Sequence, residues 1–116
     1  IYIVIKMSEL IENKRETQMN AVQQEAFKLF MKKNADYGDA FANYGPVGVI
    51  VRMGDKIQRL QNITKNGVNF VENESIRDTL IDLHNYAAMA VMLMDEKQKE
   101  ENIKNTLGEI HEDTNR

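Results

Sequence analysis

Cysteine is absent from the 116 residues, which excludes a disulfide framework and any thiolate metal site. The two histidines, His84 and His111, stand far apart, on the flank of a helical stretch and in a polar tail, which argues against a histidine metal site. No apolar run approaches the roughly 20 residues of a membrane-spanning helix. The formal net charge of −3 provides no global attraction to nucleic acid or anionic lipid. Membrane insertion and direct DNA or RNA binding are therefore not expected, and any anion must be met by a local cluster of cations. Missing too are the phosphate-cradling lysine loop, the dinucleotide glycine fingerprint, the G-x-S-x-G elbow and the H-E-x-x-H zinc helix. The one proline, Pro46, and most of the glycines sit between positions 38 and 67. That is the composition of helices joined by one complicated loop.

What is present fits a single small all-α domain of three to four helices, a compact oligomeric bundle with a long glycine-rich loop between the first two. Apolar residues at 42% suffice for one core, and the lack of disulfides agrees with a cytoplasmic setting. Three regions are expected. Residues 1–7, "IYIVIKM", read either as a β-prone arm that pairs with another chain or as sequence upstream of a start at Met7. Residues 8–97 form the helical domain, and 98–116 a polar tail, partly helical or disordered. The first helix is expected over Ser8–Lys33 with Ser8 as its cap and Met19, Val22, Ala26, Leu29 and Phe30 on one stripe. Residues 34–48 are read as loop. The second helix is expected over Val49–Thr64 with Val49, Ile50, Met53, Ile57 and Leu60 inward. "KNGVNFVEN" makes the next loop, and the third helix starts near Glu74 and ends near Lys97.

The third helix carries the most informative pattern, "NESIRDTLIDLHNYAAMAVMLM". Its predicted core stripe is Ile76, Leu80, Leu83, Ala87, Ala90, Val91 and Met94. Almost opposite lie Glu74, Asp78, Asp82 and Asn85, and Met89 and Met92 continue that side. Carboxylates four apart repel even on an exposed helix. The methionines imply that this acidic stripe is enclosed, so it needs a compensating cation, either Mg²⁺ or a basic cluster. Helix-start chemistry accounts for Glu74 and for Asp78, which pairs with Ser75 in a capping pattern, but not for Asp82.

In "RMGDKIQRL" of the second helix, Arg52, Asp55 and Arg59 share a face placed opposite the apolar stripe, with Lys56 at its edge. They read as an ordinary surface network or as a cationic fork for phosphate oxygens. The loop before it holds Lys33, Asp36, Tyr37 and Tyr44; the tyrosines are core plugs or stacking platforms for a base.

Three blocks, "KNADYGDAFANYG", "GVIVRMGDKIQRL" and "NESIRDTLIDLHNYAAMAVM", resemble in this order the bacterial and phage family called nucleotide modification associated domain 1, over about residues 25–95. In outline the chain is also similar to the all-α nucleoside triphosphate pyrophosphohydrolases of the MazG and dimeric dUTPase group. Proteins of that group hold Mg²⁺ around a triphosphate with helix-borne acids and share sites between subunits. Their E-x-x-E pair has no counterpart here, where the third helix offers Glu74, Asp78 and Asp82 and the second only Asp55 between cations. The resemblance implies a nucleotide ligand, a homo-oligomer and a bacterial or phage-infected cell. One expectation is a Mg²⁺-dependent nucleotide pyrophosphohydrolase. Glu74, Asp78 and Asp82 would hold metal, Asp78 and Asp82 would be catalytic, and Arg52, Lys56, Arg59 and Lys33 would neutralise phosphates. Asn85 and Tyr37 would contact base or sugar, and Asp36 and Asp55 complete the nucleotide-binding set. The alternative keeps the pocket without the chemistry: a protein that sequesters a cyclic or modified signalling nucleotide, as a phage counter to host defence would.

Overall fold

The computed structural model describes residues 1–67 and 73–114, and among these the protein is all-α. Three helices, α1 (Tyr2–Tyr37), α2 (Gly45–Lys65) and α3 (Glu74–Thr114), are joined by a 3₁₀ turn at Ala40–Ala42, with no strand among the described residues. Positions 68–72 of the expected second loop and the last two residues of the tail lie outside the described residues. The chain divides into two units, Ile1–Gly38 and Asp39–Arg116.

The first unit is α1. The predicted cap at Ser8 is overturned, because the helix begins six residues earlier, with the Ile5 N–H bonded to the Ile1 carbonyl at 3.0 Å. The β-branched residues of "IYIVI" favour strand on their own. No glycine or proline separates them from the strong helix formers that follow, so helix propagates back through them. Ala26 is fully buried, Leu29 and Phe30 are half-buried, and Met19 and Val22 of the expected stripe are exposed. Gly38 stops the helix at φ 58°, in the left-handed region where a side chain is strained, and donates its N–H to the Asn34 carbonyl at 2.7 Å.

The loop expected over 34–48 shrinks from both ends, since α1 runs on to Tyr37 and α2 begins at Gly45. Pro46 does not end structure there. It sits in the first turn of α2, where its missing N–H costs nothing and its fixed φ suits the helix. Gly48 is needed for space: a Cβ at this position would lie 2.5 Å from the Cβ of Tyr44.

In the second unit α2 and α3 pack on one another as an antiparallel hairpin. Arg59 meets Ser75, Lys56 meets Asp82, and Val49 packs with Ala90 and Leu93, so partners run in opposite chain directions. Each helix contributes a seam of alternating three- and four-residue steps. On α2 this is Val49, Met53, Lys56, Leu60 and Ile63, and on α3 Thr79, Asp82, Tyr86, Met89 and Leu93, all buried or half-buried. The predicted stripes were turned on the helix axes. Ile50 and Ile57 are 55% and 45% exposed, and Leu80, Val91 and Met94 are all more than half exposed. Both helices are apolar over a wide arc, and the seam that closes the hairpin lies at one edge of that arc. The start of α3 is capped by Asn73, whose Oδ1 accepts the Ile76 N–H at 3.0 Å, and not by Ser75 with Asp78. Thr79 and Ser75 are joined instead by a bond from the threonine hydroxyl to the Ser75 carbonyl at 2.7 Å. Beyond Leu93 every described residue of α3 is exposed, and the polar tail is helical through Thr114.

Candidate functional site

Lys56 is the residue from which the site is built. Its place in the seam puts a cation among Met53, Leu60 and the facing helix, where an ammonium needs a counter-charge. That counter-charge is Asp82, with Nζ 3.6 Å from Oδ2 and side chains 30% and 18% exposed. The separation is that of an ion pair and is longer than a hydrogen bond. The cation that sequence reasoning placed opposite Asp82 is thus a lysine. Charged groups at seam positions fix helix register, since any slip leaves each facing apolar side chains.

One flank of the seam opens into a cleft of about 300 Å³ lined by Arg52, Asp55, Lys56 and Arg59 of α2 and Tyr86 of α3. Arg52 and Arg59 are exposed and lie beside the seam rather than opposite it, because the inward face is centred on Lys56 and not on Ile57. They stand seven residues apart, about 10 Å along the helix axis. Arg59 donates from Nη2 to the Ser75 hydroxyl at 2.9 Å, which steers one guanidinium toward α3. The Tyr86 ring packs against the cluster of Val49, Ala90 and Leu93 and also forms part of the cleft wall, so it is a fixed aromatic surface. With Lys56 and Asp82 compensating each other, two arginines against Asp55 still leave the cleft cationic in a chain of net negative charge. Such a wall suits phosphate oxygens, which guanidinium groups meet two at a time.

Arg52, Asp55, Lys56 and Arg59 line one cleft. Asn85 is buried behind them, its Oδ1 3.2 Å from Nδ1 of His84, and does not line the cleft. Lys33, Asp36 and Tyr37 belong to the other unit, exposed on the last turns of α1, and Tyr44 is 85% exposed. Glu74 and Asp78 are exposed on the first turns of α3. Among the described residues no three acidic or histidine side chains converge on a point that could hold a metal ion. Tyr86 was missed. The available signal was its spacing, four residues after Asp82 and three before Met89, which places it on the same seam.

No curated protein and no solved structure matches the chain. The model of one family, described as nucleotide modification associated domain 1, matches residues 33–94. That span is more than half of the chain and includes every residue of the cleft. The three blocks of sequence and this match agree, and the chain belongs to the nucleotide modification associated domain 1 family.

Proposed function

We propose that the protein binds a nucleotide through its phosphates in the cleft between α2 and α3. The observation that carries this reading is the convergence of Arg52, Lys56 and Arg59 with Tyr86 around one cleft of about 300 Å³. The arginines supply charge-assisted hydrogen bonds to phosphate, and the anchored tyrosine supplies an aromatic face for sugar or base. The family description, which ties its members to nucleotide modification, supports the same ligand class. Binding without turnover is favoured over Mg²⁺-dependent hydrolysis because the cleft wall holds one acid, Asp55, among three cations, and Asp82 faces Lys56. A second copy of the chain is part of this proposal. Ile103, Leu107 and Ile110 form an apolar stripe on α3, each more than half exposed, and such a stripe is ordinarily covered.

The test is incubation with a panel of nucleoside mono-, di- and triphosphates, with and without Mg²⁺, and chromatography of the mixture before and after heat denaturation. The expected result is depletion of an intact nucleotide that returns on heating. Release of pyrophosphate would assign hydrolysis instead, and recovery of every nucleotide unchanged before heating would remove the cleft as a nucleotide site.

A further inference from the structure

The cleft and the seam share one residue, Lys56, and its two environments compete for it. Asp82 holds the ammonium at 3.6 Å from the α3 side, while the same side chain lines the cleft between Arg52 and Arg59. We infer that Asp82 is a specificity-determining residue that acts through Lys56: it competes with the ligand for the central cation and so selects oligophosphates over single phosphates. This rests on the reading that the cleft binds phosphate.

Geometry decides which anions overcome the competition. Arg52 and Arg59 are separated by seven residues, about 10 Å of helix rise, and Lys56 lies between them. With Arg59 held on the Ser75 hydroxyl at 2.9 Å and Arg52 two turns away, a single phosphate meets at most one arginine unless the other side chain moves, so it depends on the central lysine and must displace Asp82 from it. A chain of phosphates reaches the arginines from either side of Lys56. Arg59 then exchanges only a neutral partner, the Ser75 hydroxyl at 2.9 Å, for a charged one. Asp55 shares the cleft wall but carries no such selectivity, because it stands on the same helix as the cations and, among the described residues, faces no ion-pair partner across the seam.

The experiment uses inorganic orthophosphate, pyrophosphate and tripolyphosphate as probes, titrated calorimetrically at low salt into the full chain and its variants. The parent protein is expected to bind tripolyphosphate well and orthophosphate poorly. Asp82→Asn, nearly isosteric at a position 18% exposed, should strengthen orthophosphate binding by up to about fivefold, the value of a partly solvated ion pair. Tripolyphosphate should gain much less, so the ratio between the two collapses. Asp82→Ser is the second neutral variant should Asn fail to fold, and Asp82→Glu should restore the steep ratio. Asp55→Asn removes the same charge from the wall and should strengthen all three anions alike, leaving the ratio unchanged. Equal gains for all three anions in Asp82→Asn, or a uniform loss, would overturn the inference while leaving phosphate binding intact. If neither the parent nor any variant binds any of the three probes, the phosphate reading falls, and this inference falls with it.

Discussion

Lysine 56 shows how one side chain can belong to a helix interface and to a ligand site. A lysine on an inward stripe ordinarily buries its stem and sends its ammonium to water. Here the ammonium stops at Asp82, with the lysine side chain 30% exposed and lining the cleft. The pair is partly solvated, so its net stabilisation is on the order of 1 kcal/mol or less. The two arginines have less structural duty. Arg52→Gln and Arg59→Gln should each lower nucleotide affinity about tenfold, in line with loss of one charged contact, and leave the melting temperature nearly unchanged. Calorimetric titration beside a thermal melt checks both halves of that statement. A purely structural residue tests the description of α3: Asn73→Ala should destabilise the domain by about 1 kcal/mol in urea denaturation, since it leaves the Ile76 N–H without its cap. If Ser75 were the cap, Ser75→Ala would cost more than Asn73→Ala. Side-chain chemistry was legible in the sequence where it was local, as with the run from Arg52 to Arg59. Partners contributed by another helix, such as Tyr86 for the cleft and Ser75 for Arg59, depend on how two helices are turned toward each other, which residue types alone do not specify.

That turn is a property of the helices, and here the apolar pattern misleads. On α3 the apolar positions extend from Ile76 around to Val91, wider than a single neighbour can cover, and their centre is about a quarter turn from the seam that packs on α2. The polar members of the seam, Lys56 and Asp82, look like surface residues when hydrophobicity is counted. Their opposite charges are the reason they can face each other inside it. The three- and four-residue spacing shared by both seams held the missing information, because it pairs Lys56 with Asp82 and Val49 with Leu93 in one antiparallel register. Leu93→Ala should therefore destabilise the hairpin by about 2–3 kcal/mol, while Leu80→Ala, more than half exposed, should cost little. Equal losses for the two would restore the predicted stripe. The entry to α2 offers a second check. Gly48→Ala places a Cβ against that of Tyr44, near the helix backbone, so the first turn must shift, at a cost of about 1–3 kcal/mol. Helix number and class were readable because breakers are few and concentrated. Boundaries were not, because neither Ser8 nor Pro46 marks its helix's limit in the way its residue type suggests.

Among the described residues the chain buries only six apolar side chains, and large apolar side chains on all three α-helices are exposed. A core of that size contributes little against the conformational entropy of ordering so many residues. The second half of α3 makes the point most clearly. From Met94 to Thr114 every described residue is exposed, Gly108 adds about 1 kcal/mol of helix cost, and most helical stability in proteins comes from packing an apolar face, which this stretch lacks within one chain. Ile103, Leu107 and Ile110 nevertheless keep the seam's spacing beyond the end of the hairpin. Side chains so placed stabilise a helix when a second chain covers them, which is why association and tail helicity should rise together. Light scattering and circular dichroism over a concentration series are expected to show both increasing in parallel. Leu107→Lys, at the centre of the stripe, should shift the midpoint to higher concentration by tenfold or more, as burying an unpaired ammonium costs several kcal/mol. Because the cleft lies on the hairpin, nucleotide binding measured on the monomeric variant should persist. A parent protein that stays monomeric at all concentrations with its tail fully helical would mean that the stripe has no such partner.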